Sequence, residues 1–109
     1  MKIVNREEFL KMHDKLLYQK FTPLYFHDSL CLKVENLDND WTYIQLNGEI
    51  DSDSDSDYID KLNEYQLGKE FKFSMDTICR DGCFDESQLF AIYDKDDIIQ
   101  LVKKLINII

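Results

Sequence analysis

Leu30-Cys31-Leu32-Lys33-Val34-Glu35, followed across Asp38-Asn39-Asp40 by Trp41-Thr42-Tyr43-Ile44-Gln45-Leu46, is the stretch that decides the fold. The first run alternates with period two, which places Leu30, Leu32 and Val34 on one face of a half-buried strand. The second is rich in aromatic and β-branched residues and ends at Asn47-Gly48. The acidic tripeptide between them therefore reads as a turn, and the two runs as a hairpin at the centre of a sheet.

Working outward, Leu16 to Phe21 reads as a further strand, stopped at Thr22-Pro23 because proline removes a ladder donor. Before it, Asn5 as N-cap, Glu8 as its capping-box partner and a Val4–Phe9 staple predict a short helix from about Arg6 to His13. After the hairpin, Asp51-Ser52-Asp53-Ser54-Asp55-Ser56-Asp57 repels itself and reads as an exposed loop. Asp55, Ser56 or Asp57 can then cap a helix over Tyr58 to Tyr65, whose stripe Tyr58, Ile59, Leu62 and Tyr65 reads as core. Phe71 to Met75 alternates as a strand, and Leu89 to Tyr93 is a more continuously apolar one.

The final segment has Asp94, Asp96 and Asp97 at its start and Lys103 and Lys104 near its end, matching a helix dipole. Ile98, Leu101, Val102, Leu105 and Ile109 repeat at helical spacing, which predicts a core helix. The expected fold is α+β: a mostly antiparallel sheet of about four to five strands with three helices, in the order α-β-β-β-α-β-β-α, covered on one face by the helices. At 109 residues and 44% apolar content, one acidic domain spanning residues 1–109 accounts for the chain.

Charge is the most informative quantity, and its distribution says more than its total of −9. Nine acids and no Lys or Arg lie between Glu35 and Asp60, while the remaining residues balance thirteen acids against thirteen bases. Direct nucleic-acid binding is disfavoured, since phosphate recognition needs a basic surface. A basic protein surface is the expected partner. The predicted partner-binding set is Glu35, Asp38, Asp40, Trp41, Tyr43, Glu49, Asp51, Asp53, Asp55, Asp57, Tyr58 and Asp60, the carboxylates steering and the aromatics supplying contact area.

Chemistry-bearing motifs are scarce. Asp53, Asp55, Asp57 and Glu64 fall at positions 1, 3, 5 and 12 of an EF-hand loop, but Tyr58 stands where that loop needs glycine and Asp60 where it is normally apolar. Cys79-Arg80-Asp81-Gly82-Cys83 spaces two thiols around a turn, without the second Cys or His pair that zinc requires. His13 reads as ending a helix and His27 as lying in a turn, both ordinary placements. No nucleophile elbow, P-loop, dinucleotide fingerprint or zincin helix occurs, so no enzyme, metal or cofactor is expected. Three cysteines and an opening without a secretory apolar region predict a disulfide-free cytoplasmic protein, and no apolar run is long enough for a membrane span.

Lys2-Ile3-Val4-Asn5-Arg6-Glu7-Glu8-Phe9-Leu10 and Arg80-Asp81-Gly82-Cys83-Phe84-Asp85-Glu86-Ser87-Gln88-Leu89-Phe90-Ala91-Ile92-Tyr93 resemble small uncharacterised accessory proteins of bacteriophages and prophages. The resemblance covers the two ends of the chain and brings no catalytic residue. It implies a host-defence setting, in which short acidic proteins act as inhibitors, including anti-CRISPR proteins that block Cas nucleases as nucleic-acid mimics. The functional expectation is an acidic inhibitor or decoy for a basic, nucleic-acid-handling protein such as a CRISPR nuclease. Two alternatives stay open: a small-ligand, nucleotide-type binding or sequestering domain, and an immunity or antitoxin protein for a basic toxin nuclease.

Overall fold

The hairpin is present, and it sits off-centre. The computed structural model describes residues 1–13 and 15–109. Its elements are β1 (Lys2–Asn5), α1 (Arg6–Lys11), β2 (Leu17–Thr22), β3 (Tyr25–Leu37), β4 (Asp40–Gln45), α2 (Asp55–Gln66), β5 (Cys79–Arg80), β6 (Leu89–Ile92) and α3 (Lys95–Ile106). Six strands form one open antiparallel sheet in the order β1-β6-β2-β3-β4-β5. The α+β class, the antiparallel sheet and the three helices match expectation, whereas the strand count and the element order do not.

Two differences account for the extra strand. Lys2–Asn5, unread in the sequence, pairs with Leu89–Ile92 and forms one edge. At the other edge, Cys79 and Arg80 pair with Tyr43 and Thr42, while Phe71 to Met75 forms no strand and contributes only a Glu49–Ser74 bridge. That bridge depends on Gly48. At φ 85° it adopts a left-handed conformation, and a Cβ there would lie 2.8 Å from both the Phe73 Cβ and the Ser74 carbonyl oxygen.

The core lies on the face opposite Leu30, Leu32 and Val34. Tyr18 pairs with Ile92 on one side and Cys31 on the other, so these side chains share a face with Val4, Phe90 and Trp41. α1 covers that face. Its Asn5 cap accepts the Glu8 N–H at 2.8 Å, and Val4 and Phe9 are both buried, as the cap and staple pattern predicts. Phe9 stacks on Phe90 at 4.2 Å and meets Trp41 edge-on at 4.9 Å. Trp41 in turn donates its indole N–H to the Tyr18 hydroxyl at 2.9 Å.

α2 and α3 are different. Neither buries a single residue, so the stripes read as core in both helices are not core: Leu62, Tyr65 and Leu101 are half-buried and the rest of both stripes is exposed. α3 is well formed: Asp94 and Asp97 make a reciprocal capping box, and the Met1 ammonium lies 2.7 Å from Asp94 and 2.8 Å from Asp97. Its Leu105 borders a groove with Leu30 and Leu46, so the helices do not all cover one face. α1 ends at Lys11, leaving His13 beyond it, and His27 lies within β3 with Nε2 2.9 Å from the Thr22 hydroxyl.

Candidate functional site

An open groove of about 740 Å³ lies between the end of β4, α2 and the segment after it. Ser54 starts α2 by accepting the Asp57 N–H at 3.1 Å, one residue before the predicted caps. One side of the resulting helix presents Tyr58 and Tyr65 to the groove, and Phe71 and Phe73 close the other side. Tyr65 stacks on Phe71 at 4.0 Å, and Phe71 meets Phe73 at 5.5 Å. Tyr58, Phe71 and Phe73 nevertheless stay 40–47% exposed, which gives the groove aromatic surface open to solvent. The Glu49–Ser74 bridge fixes the floor. There the Glu49 carboxylate accepts from Gln45 Nε2 at 2.8 Å and from Cys79 Sγ at 3.4 Å.

The acids gather at the start of α2. Asp57 accepts the Asp53 N–H at 2.9 Å and pairs with Lys61 at 3.1 Å, and these two contacts hold its carboxyl below the usual range. Lys61 also donates to the Asp51 carbonyl. Asp51, Asp53, Asp55 and Asp60 are exposed, and among the described residues none has an ion-pair partner. Of the predicted set, then, Glu49 and Tyr58 line the groove and Asp51, Asp53, Asp55 and Asp57 lie before or in the first turn of α2, whereas Asp60, two residues beyond Tyr58, falls on the opposite side of that helix.

The other five are elsewhere. Glu35 and Asp38 are exposed; Glu35 pairs with Thr42, about 10 Å along β4 from Gln45 at strand rise, and Asp38 lies in the β3–β4 turn, about 17 Å or more from it. Asp40 and Trp41 are corrected outright, being 0% and 1% exposed. Burial alone would raise the Asp40 carboxyl; Arg80 Nε at 2.6 Å and the Trp41 and Gly82 N–H groups outweigh it, so the carboxyl is held below the usual range. Trp41 is committed to Phe9 and Tyr18. Tyr43 is half-buried in a separate cavity of about 150 Å³ with Cys31, His27 and the Lys20–Asp81 ion pair, and burial pushes its hydroxyl up to about 12.

The residues that sequence reading missed are Tyr65, Phe71 and Phe73. Their signal was aromatic density directly after a charged helix, which reads equally as core. No group of three or more His, Cys, Asp or Glu side chains among the described residues is placed to hold a metal ion. α2 runs through Asp55, Asp57 and Glu64, so helix stands where an EF-hand loop would have to be. Among the described residues no helix is long and apolar enough to cross a membrane. Comparison with family models, with curated proteins and with solved structures returns no match for this chain.

Proposed function

We propose that this chain is an acidic protein-binding inhibitor that takes a basic segment of its partner into the groove beside α2. The observation that carries this reading is the groove's exposed aromatic faces, on Tyr58, Phe71 and Phe73, next to a helix start whose Asp51, Asp53 and Asp55 carboxylates are exposed and without an ion-pair partner among the described residues. An arginine or lysine side chain is matched by both at once, through its cation over a ring and its N–H groups on a carboxylate. The long-range field steers such a partner and repels a polyanion.

Basic grooves that hold nucleic acid are the natural targets. The phage-type resemblance of the two ends favours a nuclease of host defence, an anti-CRISPR-like role. A toxin nuclease would be bound by the same physics. Groove volume also supports a second reading, a small-ligand site, since 740 Å³ falls within the range of such pockets. The carboxylates there favour a cationic or neutral ligand over a nucleotide.

The test is to incubate the protein with guide-loaded Cas nucleases and with basic toxin nucleases, and to follow target cleavage and complex formation. Inhibition that is lost in both the Phe71→Ala variant and an Asp51, Asp53 and Asp55 to Asn variant supports the reading. Inhibition untouched by both would move the contact away from the groove, and no inhibition anywhere, with a bound small molecule identified by mass spectrometry, would favour the second reading.

A further inference from the structure

A second cavity opens on the sheet itself, apart from the groove beside α2. Tyr18, Cys31 and Gln45 are direct neighbours across β2, β3 and β4, and Lys20 and Tyr43 follow two residues along their strands, on the same face. Asp81, just past β5, completes the enclosure. The space is about 150 Å³, room for about five waters or one molecule of that bulk. Ser29, which is exposed, brings it to solvent. Among the described residues that line it none has an aliphatic side chain, whereas an empty void of packing is apolar. Convergent polar groups around a small cavity mark a ligand site.

The lining fixes the character of an occupant. Lys20 and Asp81 lie 2.7 Å apart, with the Asp81 side chain only 4% exposed, so a charged ligand would have to break a largely buried pair. Burial pushes the Cys31 thiol up to about 11 and the Tyr43 hydroxyl up to about 12, which keeps both uncharged at neutral pH. Hydrogen-bonding capacity of both kinds remains. The Lys20 ammonium has N–H groups beyond the one on Asp81, and Tyr43 has its hydroxyl. Gln45 donates Nε2 to Glu49 at 2.8 Å, which fixes its amide and leaves Oε1 as an acceptor that no bond takes among the described residues. The rings of Tyr18 and Tyr43 add flat apolar faces.

A neutral, flat molecule with C=O and N–H side by side on one edge meets each of these demands, and a single six-membered ring suits the volume. We infer that the cavity is a binding site for a free pyrimidine base, whose carbonyl oxygens accept from Lys20 and Tyr43 and whose ring N–H donates to Gln45. A polyol offers no flat face. An anionic base is opposed by the Asp81 carboxylate and by the chain's net charge of −9.

The test is to titrate the isotope-labelled chain with uracil and with cytosine, following amide shifts by nuclear magnetic resonance and stoichiometry by calorimetry. At least one base should bind saturably, one per chain, with the largest shifts at Lys20, Cys31, Tyr43 and Gln45. Orotate, a uracil carrying a carboxylate, and glycerol should not bind. Tyr43→Phe should weaken the base about three- to tenfold, the loss of one hydrogen bond, and Ser29→Trp, at an exposed position, should abolish binding while melting stays unchanged. The comparison of base with orotate needs no variant, so it decides the matter even where a substitution unfolds the chain. No saturable binding of either base, which would leave a cavity for water only, would overturn the inference. So would equal binding of orotate or glycerol, shifts centred away from these strands, or an affinity indifferent to both substitutions.

Discussion

The Lys33 ammonium sits 2.8 Å from the carbonyl oxygen of Phe9 and 4.4 Å from the centroid of the Phe9 ring. It also reaches the Met12 carbonyl at 3.4 Å. A lysine of the central strand therefore closes the carboxyl end of α1, where carbonyls lack helical partners and the dipole is negative. Lys33→Met keeps the length and removes the donor. It should destabilise the fold by about 1–3 kcal/mol, the cost of stranding buried polar groups, seen as a lower urea midpoint at unchanged slope.

Core and surface helices should respond very differently. Phe9 is fully buried among Phe90, Tyr18 and Trp41, so Phe9→Ala should cost about 3–5 kcal/mol, a large part of the stability of a small domain. Val102→Ser on α3, where Val102 is half exposed, should stay within about 0.5 kcal/mol. Comparable losses at the two sites would mean that α3 is packed far more deeply than its exposure shows.

That contrast marks what the sequence could tell. Asn5 with Glu8, and Asp94 with Asp97, announced their helices because caps are local chemistry. The α3 stripe announced an apolar face, but periodicity does not say what covers a face, so a surface helix was read as core. Lys33 was unreadable for the same reason: alternation turns a lysine outward unless a distant carbonyl, here that of Phe9, needs it inside. Trp41 and Asp40 were assigned to a binding surface because strand residues beside acids look exposed, and only the three-dimensional positions of Phe9 and Arg80 reverse this. Phe71 to Met75 alternated like a strand, yet the Gly48 approach and the Cys79–Tyr43 pairing decide where the edge lies. Of the binding set, the exposure of Asp51, Asp53 and Asp55 was legible, although α2 already takes in Asp55 and Asp57, which were expected in the loop. Its aromatic neighbours across the groove were not.

Acid sensitivity should trace in part to Asp40, alongside Asp94, whose carboxyl the Met1 ammonium holds down at about 2. The folded Asp40 carboxyl lies below the ordinary range, so the Arg80 and Gly82 contacts contribute stability that is present above the unfolded value of about 3.9 and fades as pH falls through the lower folded value. Asp40→Asn should cost about 1–3 kcal/mol at neutral pH and flatten the loss of stability at the acid end. A variant with the same acid profile as the original would remove Asp40 from that role.

The three thiols should separate by reactivity. Burial pushes Cys31 up to about 11 and also raises Cys79, where the Glu49 carboxylate adds to the effect, whereas Cys83 is exposed. Thiolate is the reactive form, so a thiol reagent at pH 8 should modify Cys83 first, Cys79 more slowly and Cys31 only on unfolding. The sign for stability follows. Cys31 keeps its proton in the folded state, so its contribution is complete below an unfolded value of about 8.5 and declines as pH rises toward 11.

Gly48→Ala should damage fold and groove together. The new methyl would meet backbone at the Ser74 oxygen in a conformation L-residues avoid, so the segment carrying Phe71 and Phe73 must move off Glu49. A loss of about 1–3 kcal/mol is expected, with faster hydrogen exchange at the Glu49 and Ser74 amides.

The sheet stops on a four-residue strand at one side and a two-residue strand at the other. Short edges leave few free backbone groups in line, and Lys2 and Arg80 place a cation on each. Fibril growth, which recruits one extended chain after another along a long flat margin, finds no template at either side. A concentrated solution of this protein should therefore stay free of cross-β material even though so many of its isoleucines face water.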